Sequence, residues 1–236
     1  MLILSIDTSG DICTVALGGE SGLVSQLVFR HRMDLLQRLA SNVKWLIEDA
    51  RLSMGRINAV AVSLGPGSFT GLRIGVTTAK GLAYAAGKPI IGIPTLDVLA
   101  EALKPERGDA VIPLIMARPG EVYADFYRRN DDGQAKLTSG DSMEIEEMLD
   151  RALGLKGGHV FFCGSGAKAN RAIIEERLGS RAIFAHDWLD YPNGDVMCRL
   201  ALRRLQSGQM DDVLALAPLY LRKPTPQVAL EAKKAK

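Results

Sequence analysis

The stretch Ser63-Leu64-Gly65-Pro66-Gly67-Ser68-Phe69-Thr70-Gly71-Leu72-Arg73-Ile74-Gly75 limits what this chain can fold into more than any other. Before it, residues 57–62 are β-branched and small apolar residues and read as a buried strand. After it, residues 70–86 keep helical spacing without a proline. The loop therefore joins a strand to a helix. Such a junction aims backbone N–H groups and the positive end of the helix dipole at one point, which suits a phosphate, a carboxylate or a close backbone approach. Gly65, Pro66 and Gly67 can equally well serve only a tight turn. The familiar phosphate loops do not fit. Gly71 is followed by Leu72 and Arg73 rather than Lys-Ser/Thr, and no Gly-x-Gly-x-x-Gly register falls on Gly65, Gly67 and Gly71.

Around this junction the first half reads as three short strands (2–6, 13–17, 23–29) in an antiparallel meander. A helix over 33–51, the strand 57–62, the glycine-loop helix and a strand at 90–93 follow. On the helix 33–51 the stripe Leu36, Leu39, Ala40, Val43, Leu46, Ile47 and Ala50 is expected to face inward, with Arg38, Asn42, Trp45 and Asp49 on the opposite side. Residues 95–103 can form another helix, and 104–109 is the best linker. The second half repeats the theme with strands at 111–116, 122–127 and 135–138, a helix at 143–153, a strand at 159–163 and a helix at 168–178. Gly164-Ser165-Gly166-Ala167 again joins strand to helix. One such junction in each half suggests two related subdomains. The expected division is 1–104, 105–223 and a loose tail over 224–236, with a helix over 194–206 able to return to the first subdomain.

A length of 236 residues can bury a sizeable core, and 47% hydrophobic with 24% charged residues is ordinary for a globular chain. A net charge of +2 names no strongly charged partner. Cys13, Cys163 and Cys198 are odd in number and far apart, which argues against a disulfide framework or a zinc site and for a reducing cytoplasm. The N-terminus lacks a signal-peptide pattern, and no apolar run is long enough to cross a bilayer. Neither a His-Glu-x-x-His helix nor a cysteine–histidine pair is present for peptidase chemistry.

Ile6-Asp7-Thr8, the block from Gly65 to Gly75, Gly87-Lys88-Pro89-Ile90, Gly164-Ser165-Gly166-Ala167 and Pro218-Leu219-Tyr220-Leu221-Arg222 together resemble the TsaB (YeaZ) family. That resemblance implies an α/β fold of two RNase H-like subdomains with mixed sheets flanked by helices, as in the superfamily of actin, Hsp70 and sugar kinases (ASKHA). It also implies a non-catalytic partner of TsaD, acting with the ATPase TsaE, in placing threonylcarbamoyl on N6 of adenosine 37 of tRNA. Contact with tRNA would be indirect, through the complex. The TsaD enzyme carries a metal-holding His-x-x-x-His pair; here the corresponding region is His31-Arg32-Met33-Asp34-Leu35, so no metal and no cofactor are expected.

In the superfamily, carboxylates and hydroxyls of the first hairpin meet metal-phosphate and the second glycine junction cradles adenosine. Asp7, Thr8, Gly164 and Gly166 are the residues that would do so here. Asp7 can also just cap a turn, and the two glycines can just allow close helix packing. The alternative function is an ATP-dependent phosphotransferase of small molecules, for which no obvious general base follows the glycine loop. For partner binding, the expected surface combines Arg38, Asn42, Trp45 and Asp49 on the first helix with Gly71, Ile74, Gly75, Thr78 and Leu82 on the second. It would take TsaD or, in its absence, a second copy of the chain.

Overall fold

A computed structural model of the chain describes residues 1–31, 34–131 and 133–221. The first half contains strands β1 (Leu2–Asp7), β2 (Ile12–Gly19) and β3 (Gly22–Arg30), helix α1 (Leu35–Asp49), strand β4 (Ala59–Gly65), helix α2 (Phe69–Ala86), strand β5 (Ile90–Pro94) and helix α3 (Thr95–Glu101). The second contains β6 (Ala110–Arg118), β7 (Glu121–Ala124), β8 (Tyr127–Asn130), β9 (Gly133–Lys136), β10 (Asp141–Glu144), α4 (Ile145–Gly154), β11 (Val160–Cys163), α5 (Ser165–Ala169), α6 (Arg171–Leu178), β12 (Ala182–Phe184) and α7 (Gly194–Gln206).

The first sheet has the order β3-β2-β1-β4-β5, antiparallel through the meander and parallel from β1 to β5. Its central strands read as near-continuous apolar runs because both faces are covered. Leu4, Ile6, Val60 and Val62 pack against α1 and α2, while Ile3, Ala59 and Ala61 pack against Val196, Met197 and Ala201 of α7. Helix α7 is held there by polar contacts as well: Ser5 Oγ donates to the Gly194 carbonyl at 3.1 Å, and Thr14 Oγ1 to that of Pro192 at 3.0 Å. The second half repeats the order as β10-β7-β6-β11-β12, with the hairpin β8–β9 added on β6.

Several elements differ from the sequence reading, each for a local reason. The strand expected over 122–127 breaks into β7 and β8, because the Asp125 carboxylate takes the Phe126 N–H at 2.8 Å and turns the chain. The helix expected from 143 starts at Ile145, since residues 141–144 pair with β7 instead. The helix expected over 168–178 is two helices broken at Asn170. On α1 the stripe is shifted: Leu35 is buried whereas Leu36 is 70% exposed, and Ala40 is exposed too. Arg38, Asn42, Trp45 and Asp49 share one flank of the helix, about 100° from the middle of the buried stripe rather than opposite it. Arg38 and Asn42 are accordingly half-buried, Trp45 and Asp49 exposed. The tail 224–236 lies outside the described residues.

The glycine loop makes a close backbone approach to the turn after β1. Ser68 N–H donates to the Ser9 carbonyl at 2.7 Å, and Thr8 Oγ1 donates to the Gly71 carbonyl at 2.8 Å. A Cβ on Gly67 would strike the Ser9 carbonyl, one on Gly71 the Thr8 carbonyl, and one on Gly75 the Thr8 hydroxyl. Gly71 and Gly75 are therefore buried inside this chain, which corrects their assignment to a partner surface. Ile74, Thr78 and Leu82 are half-buried, and Ile74 and Leu82 pack on the core beneath α2. By contrast, Gly81 is exposed and a Cβ there meets nothing. Urea unfolding should show Gly75→Ala destabilised by about 1–3 kcal/mol through overpacking, and Gly81→Ala stabilised by roughly 0.5–1 kcal/mol through helix propensity.

Candidate functional site: the cleft and the outer helical face

The parallel strands β1, β4 and β5 end at the same edge, and the second half closes over that edge to leave a cleft of about 520 Å³. One wall carries Ser9, Asp11, Arg30, Gly67 and Ser68; the other carries Ile115, Met116, Ser165, Lys168, Asp187 and Asp190. A crevice at the carboxyl ends of parallel strands is where open α/β sheets bind ligands. None of Asp7, Thr8, Gly164 and Gly166, the residues expected to hold a nucleotide, lines this cleft; they lie one or two residues from Ser9 and Ser165, which do.

Thr8 is fully buried, its hydroxyl on the Gly71 carbonyl and its N–H 3.4 Å from Ser63 Oγ. Gly164, at φ +92°, lies so close to the Leu114 carbonyl that no Cβ fits, and a Cβ on Gly166 would sit 3.0 Å from Leu114. The Gly164 N–H donates to Asp190 Oδ1 at 2.9 Å. Lys168 Nζ, the nearest cation, is bound to Asp187 Oδ2 at 2.7 Å, and this bond raises the ammonium pKa. Across the cleft Arg30 lies 3.6 Å from Asp11. Partial burial pushes the Asp190 carboxyl up, against the pull of the Gly164 N–H. At this second junction the Gly164 N–H and the Lys168 ammonium are thus already bound by carboxylates of the same chain.

Asp7 is different. It is buried, one oxygen accepts the Ser9 N–H at 3.4 Å, and the other has no partner among the described residues. Thr95 Oγ1, at the end of β5, is a second buried and unpartnered polar atom at this sheet edge. Burial pushes the Asp7 carboxyl up to about 6, outweighing hydrogen bonds from Ser63 and Ser9 that pull it down. Among the described residues no group of three or more His, Cys, Asp or Glu is placed to hold a metal. The thiols are buried, and desolvation pushes Cys13 and Cys198 up to about 12 and raises Cys163 as well, so none is a poised nucleophile.

The outer face of α1 and α2 presents a contrasting surface. Trp45 is 52% exposed, and Tyr84 71%. Arg38 stacks over Phe29 with its guanidinium 5.0 Å from the ring centre and donates to the Arg30 carbonyl at 2.9 Å. Residues 211–221 run as a strap beside α2: Lys80 Nζ donates to the Leu214 and Leu216 carbonyls, both at 2.9 Å, and Leu219 N–H donates to the Leu64 carbonyl at 2.7 Å. The strap ends in a stack in which Tyr220 lies 5.3 Å from Phe69, Arg73 covers Phe69, and Arg73 Nε donates to the Tyr220 hydroxyl at 3.2 Å. Sequence reasoning missed the strap and the cleft-closing pair Asp187 and Asp190. The Phe69–Arg73 pair at i,i+4 was a visible signal; Tyr220, 147 residues from Arg73, gave none.

Two sheets of the order 3-2-1-4-5, one in each half and facing across a cleft, define a protein of the actin-like ATPase fold. The same class holds solved structures such as component A of (R)-2-hydroxyglutaryl-CoA dehydratase from Acidaminococcus fermentans, similar in fold alone, with 12% identity and a TM-score of 0.52 over 88% of this chain and 99% of that one. Residues 30–230 match the family described as TsaD, tRNA N6-adenosine threonylcarbamoyltransferase. The Escherichia coli tRNA threonylcarbamoyladenosine biosynthesis protein TsaB is 30% identical over 94% of this chain and 95% of its own. The Bacillus subtilis TsaB is 28% identical, with 94% of each chain covered. YeaZ from Pseudomonas aeruginosa superimposes with a TM-score of 0.79 and 27% identity, over 93% of this chain and 99% of that one. The chain belongs to the TsaB (YeaZ) family of tRNA threonylcarbamoyladenosine (t6A) biosynthesis.

The position of Asp7 gives a measurable consequence. Its carboxyl titrates near 6 in the folded chain and near the ordinary 3.8 when unfolded, so between those values the folded state binds more protons. Stability should therefore fall as pH rises from about 4 to about 6. Asp7→Asn should remove that slope and raise stability at pH 7 by on the order of 3 kcal/mol, read from urea unfolding across pH.

Proposed function

We propose that this chain is the non-catalytic subunit that binds and activates TsaD, together with TsaE, in the cytoplasmic N6-threonylcarbamoylation of adenosine 37 of tRNA. Its contact with tRNA is indirect, through that complex. The observation that carries this reading is where the chain leaves large apolar side chains in water. Leu36 and Trp45 of α1, Phe69 and Tyr84 of α2 and Leu214 of the strap are all exposed and lie on neighbouring elements. Exposed aromatic and aliphatic side chains with an arginine at their edge are the composition of a binding hot spot. The docking face is accordingly built from Arg38, Asn42, Trp45 and Asp49 on one flank of α1 together with Ile74, Thr78 and Leu82 on α2; Leu36 lies half a turn of helix away from Trp45 and is outside it. When TsaD is absent, the same face binds a second copy of this chain.

The histidine position supports the non-catalytic part. Where the resemblance to TsaD calls for the second histidine of a metal pair, this chain has Leu35, buried in the core. His31, half-buried, has its ring Nε2 3.2 Å from the Gly10 carbonyl. The commitment of the cleft donors works against the phosphotransferase alternative, which needs a phosphate cradle.

Reconstitution with TsaD, TsaE, ATP, threonylcarbamoyl-adenylate and tRNA tests the reading. Modified adenosine, scored by mass spectrometry, should depend on this protein, while the isolated chain turns over no ATP; modification indifferent to it sinks the proposal. Trp45→Ala should weaken TsaD binding roughly 30-fold by titration calorimetry, the size of a hot-spot loss of about 2 kcal/mol. Gly75→Glu is a poor probe of that surface, because its effect would pass through the contact with Thr8.

A further inference from the structure

Behind the cleft the two halves meet a second time, at helix α3. The helix and the turn after it take part in both cores: Val98 packs with the first sheet and α7, whereas Leu99, Ala100 and, just past the helix, Leu103 pack with Val111, Tyr127 and Cys163 of the second half. The β8–β9 hairpin grips it at both ends. Near the N-terminal end, Asp97 Oδ1 accepts the Tyr127 hydroxyl at 2.5 Å and Lys136 Nζ at 2.8 Å. At the C-terminal end, Gln134 Nε2 donates to the Ala100 carbonyl at 2.6 Å and to the Leu103 carbonyl at 2.9 Å.

The anchor of this grip is Asp125, fully buried in the kink between β7 and β8. Its Oδ2 lies 2.7 Å from Lys136 Nζ and 3.3 Å from the Tyr127 hydroxyl; its Oδ1 accepts the Phe126 N–H at 2.8 Å and the Thr138 hydroxyl. One ammonium and one phenol are thus shared between a buried carboxylate of the second half and a carboxylate of the first. Separating the halves would take the Tyr127 hydroxyl and the Lys136 ammonium from half-buried Asp97, while Asp125 keeps the four partners of its own half, and removing the partners of a partly buried charge is costly. Elsewhere the chain crosses between the halves at 102–109 and 190–194, which are loops.

We infer that the β8–β9 hairpin is a clasp that holds the two halves at one fixed angle, so that the chain's own charges, and not a ligand in the cleft, set the cleft's width. Ligand-closed two-lobed folds need hinges that open and shut; here the helix at the hinge is pinned at both ends. The clasp is reached by water from a cavity of about 450 Å³ lined by Asp97, Tyr127, Gln134, Lys136 and Arg203, so it can be opened by substitution without rebuilding either core. This inference does not rest on the partner assignment.

The test places spin labels on the full chain at Gln37→Cys in α1 and Glu176→Cys in α6, both exposed; Cys13, Cys163 and Cys198 are buried and leave the labelling specific. With the clasp intact, pulsed dipolar spectroscopy should give one narrow distance. A Gln134→Ala, Lys136→Met protein should give a broadened or second distance. Its amide exchange should rise at least roughly tenfold in α3 and β8–β9, while β1 and β4 keep parental protection. Lys136→Arg, which keeps the charge, should restore the narrow distance. An unchanged distance with parental protection of α3 overturns the clasp, as does a uniform rise in exchange through both halves. Should the double variant fail to fold, Asp97→Asn, half-buried and of the same size, takes its place with the exchange of α3 as the readout and the same two outcomes.

Discussion

The contact on which the rest depends is the one between the Thr8–Ser9 turn and the start of α2. Two hydrogen bonds join them, Ser68 N–H to the Ser9 carbonyl and Thr8 Oγ1 to the Gly71 carbonyl. Neither could form if Gly67, Gly71 or Gly75 carried a side chain. The cost of Gly71 and Gly75 within the helix, about 1 kcal/mol each against alanine, is met by the seating they allow. Helix α2 lies flat on β4, Val76, Ala79 and Ala83 reach the core, and α1 has a surface against which Leu39, Val43 and Leu46 can close. The outer residues of both helices are displayed as a result of that seating. A loop that resembles an anion site in sequence is here spent on holding one backbone against another.

The second half uses the same solution with different partners. Its glycine junction is pressed onto the Leu114 and Ile115 backbone, and its open N–H is taken by Asp190. At each junction one backbone N–H is thus engaged within the chain, Ser68 N–H by the Ser9 carbonyl and Gly164 N–H by Asp190. What differs between the halves is what has been added. The second carries the β8–β9 hairpin and the Asp125 kink, and these reach back to α3; the first receives α7, whose Gly194 sits against Ala16, Thr14 and Gln26 with no room for a Cβ. Each half thus contributes an element to the other, and neither is completed by its own segment of chain alone.

Much of this was legible in the sequence, because the strong signals are local. The three-strand meander, the strand-glycine-helix junctions and the inward Leu39, Val43, Leu46 and Ile47 follow from patterns a few residues wide. The misreadings come from the same source. Leu35 and Leu36 are adjacent and chemically identical, so periodicity alone could not decide which faces the core; in the fold Leu35 is buried and Leu36 exposed. Small residues on α2 read as a surface for another chain, whereas the partner they fit is Thr8, 67 residues from Gly75 and invisible to any local window. The carboxylates at Asp125, Asp187 and Asp190 look like ordinary surface acids in sequence; their roles depend on Lys136, Lys168 and Gly164, which only the folded topology brings to them.

These facts together set where recognition can occur. A group that recognises a ligand must be free in the unbound state or cheap to free, since each donor already paired must first be unpaired at a cost comparable to the bond gained. Around the cleft the Thr8 hydroxyl, the Gly164 N–H and the Lys168 ammonium are paired, while among the described residues Asp7 and Thr95 each keep a buried polar atom without a partner. On α1 and α2 the situation is reversed: Leu36, Trp45 and Tyr84 are already in water, so covering them gains free energy without breaking anything within the chain. The exposed apolar side chains of the outer helical face are thus available for contact in a way the paired donors around the cleft are not, even though the fold is one whose cleft, in principle, is the place to bind.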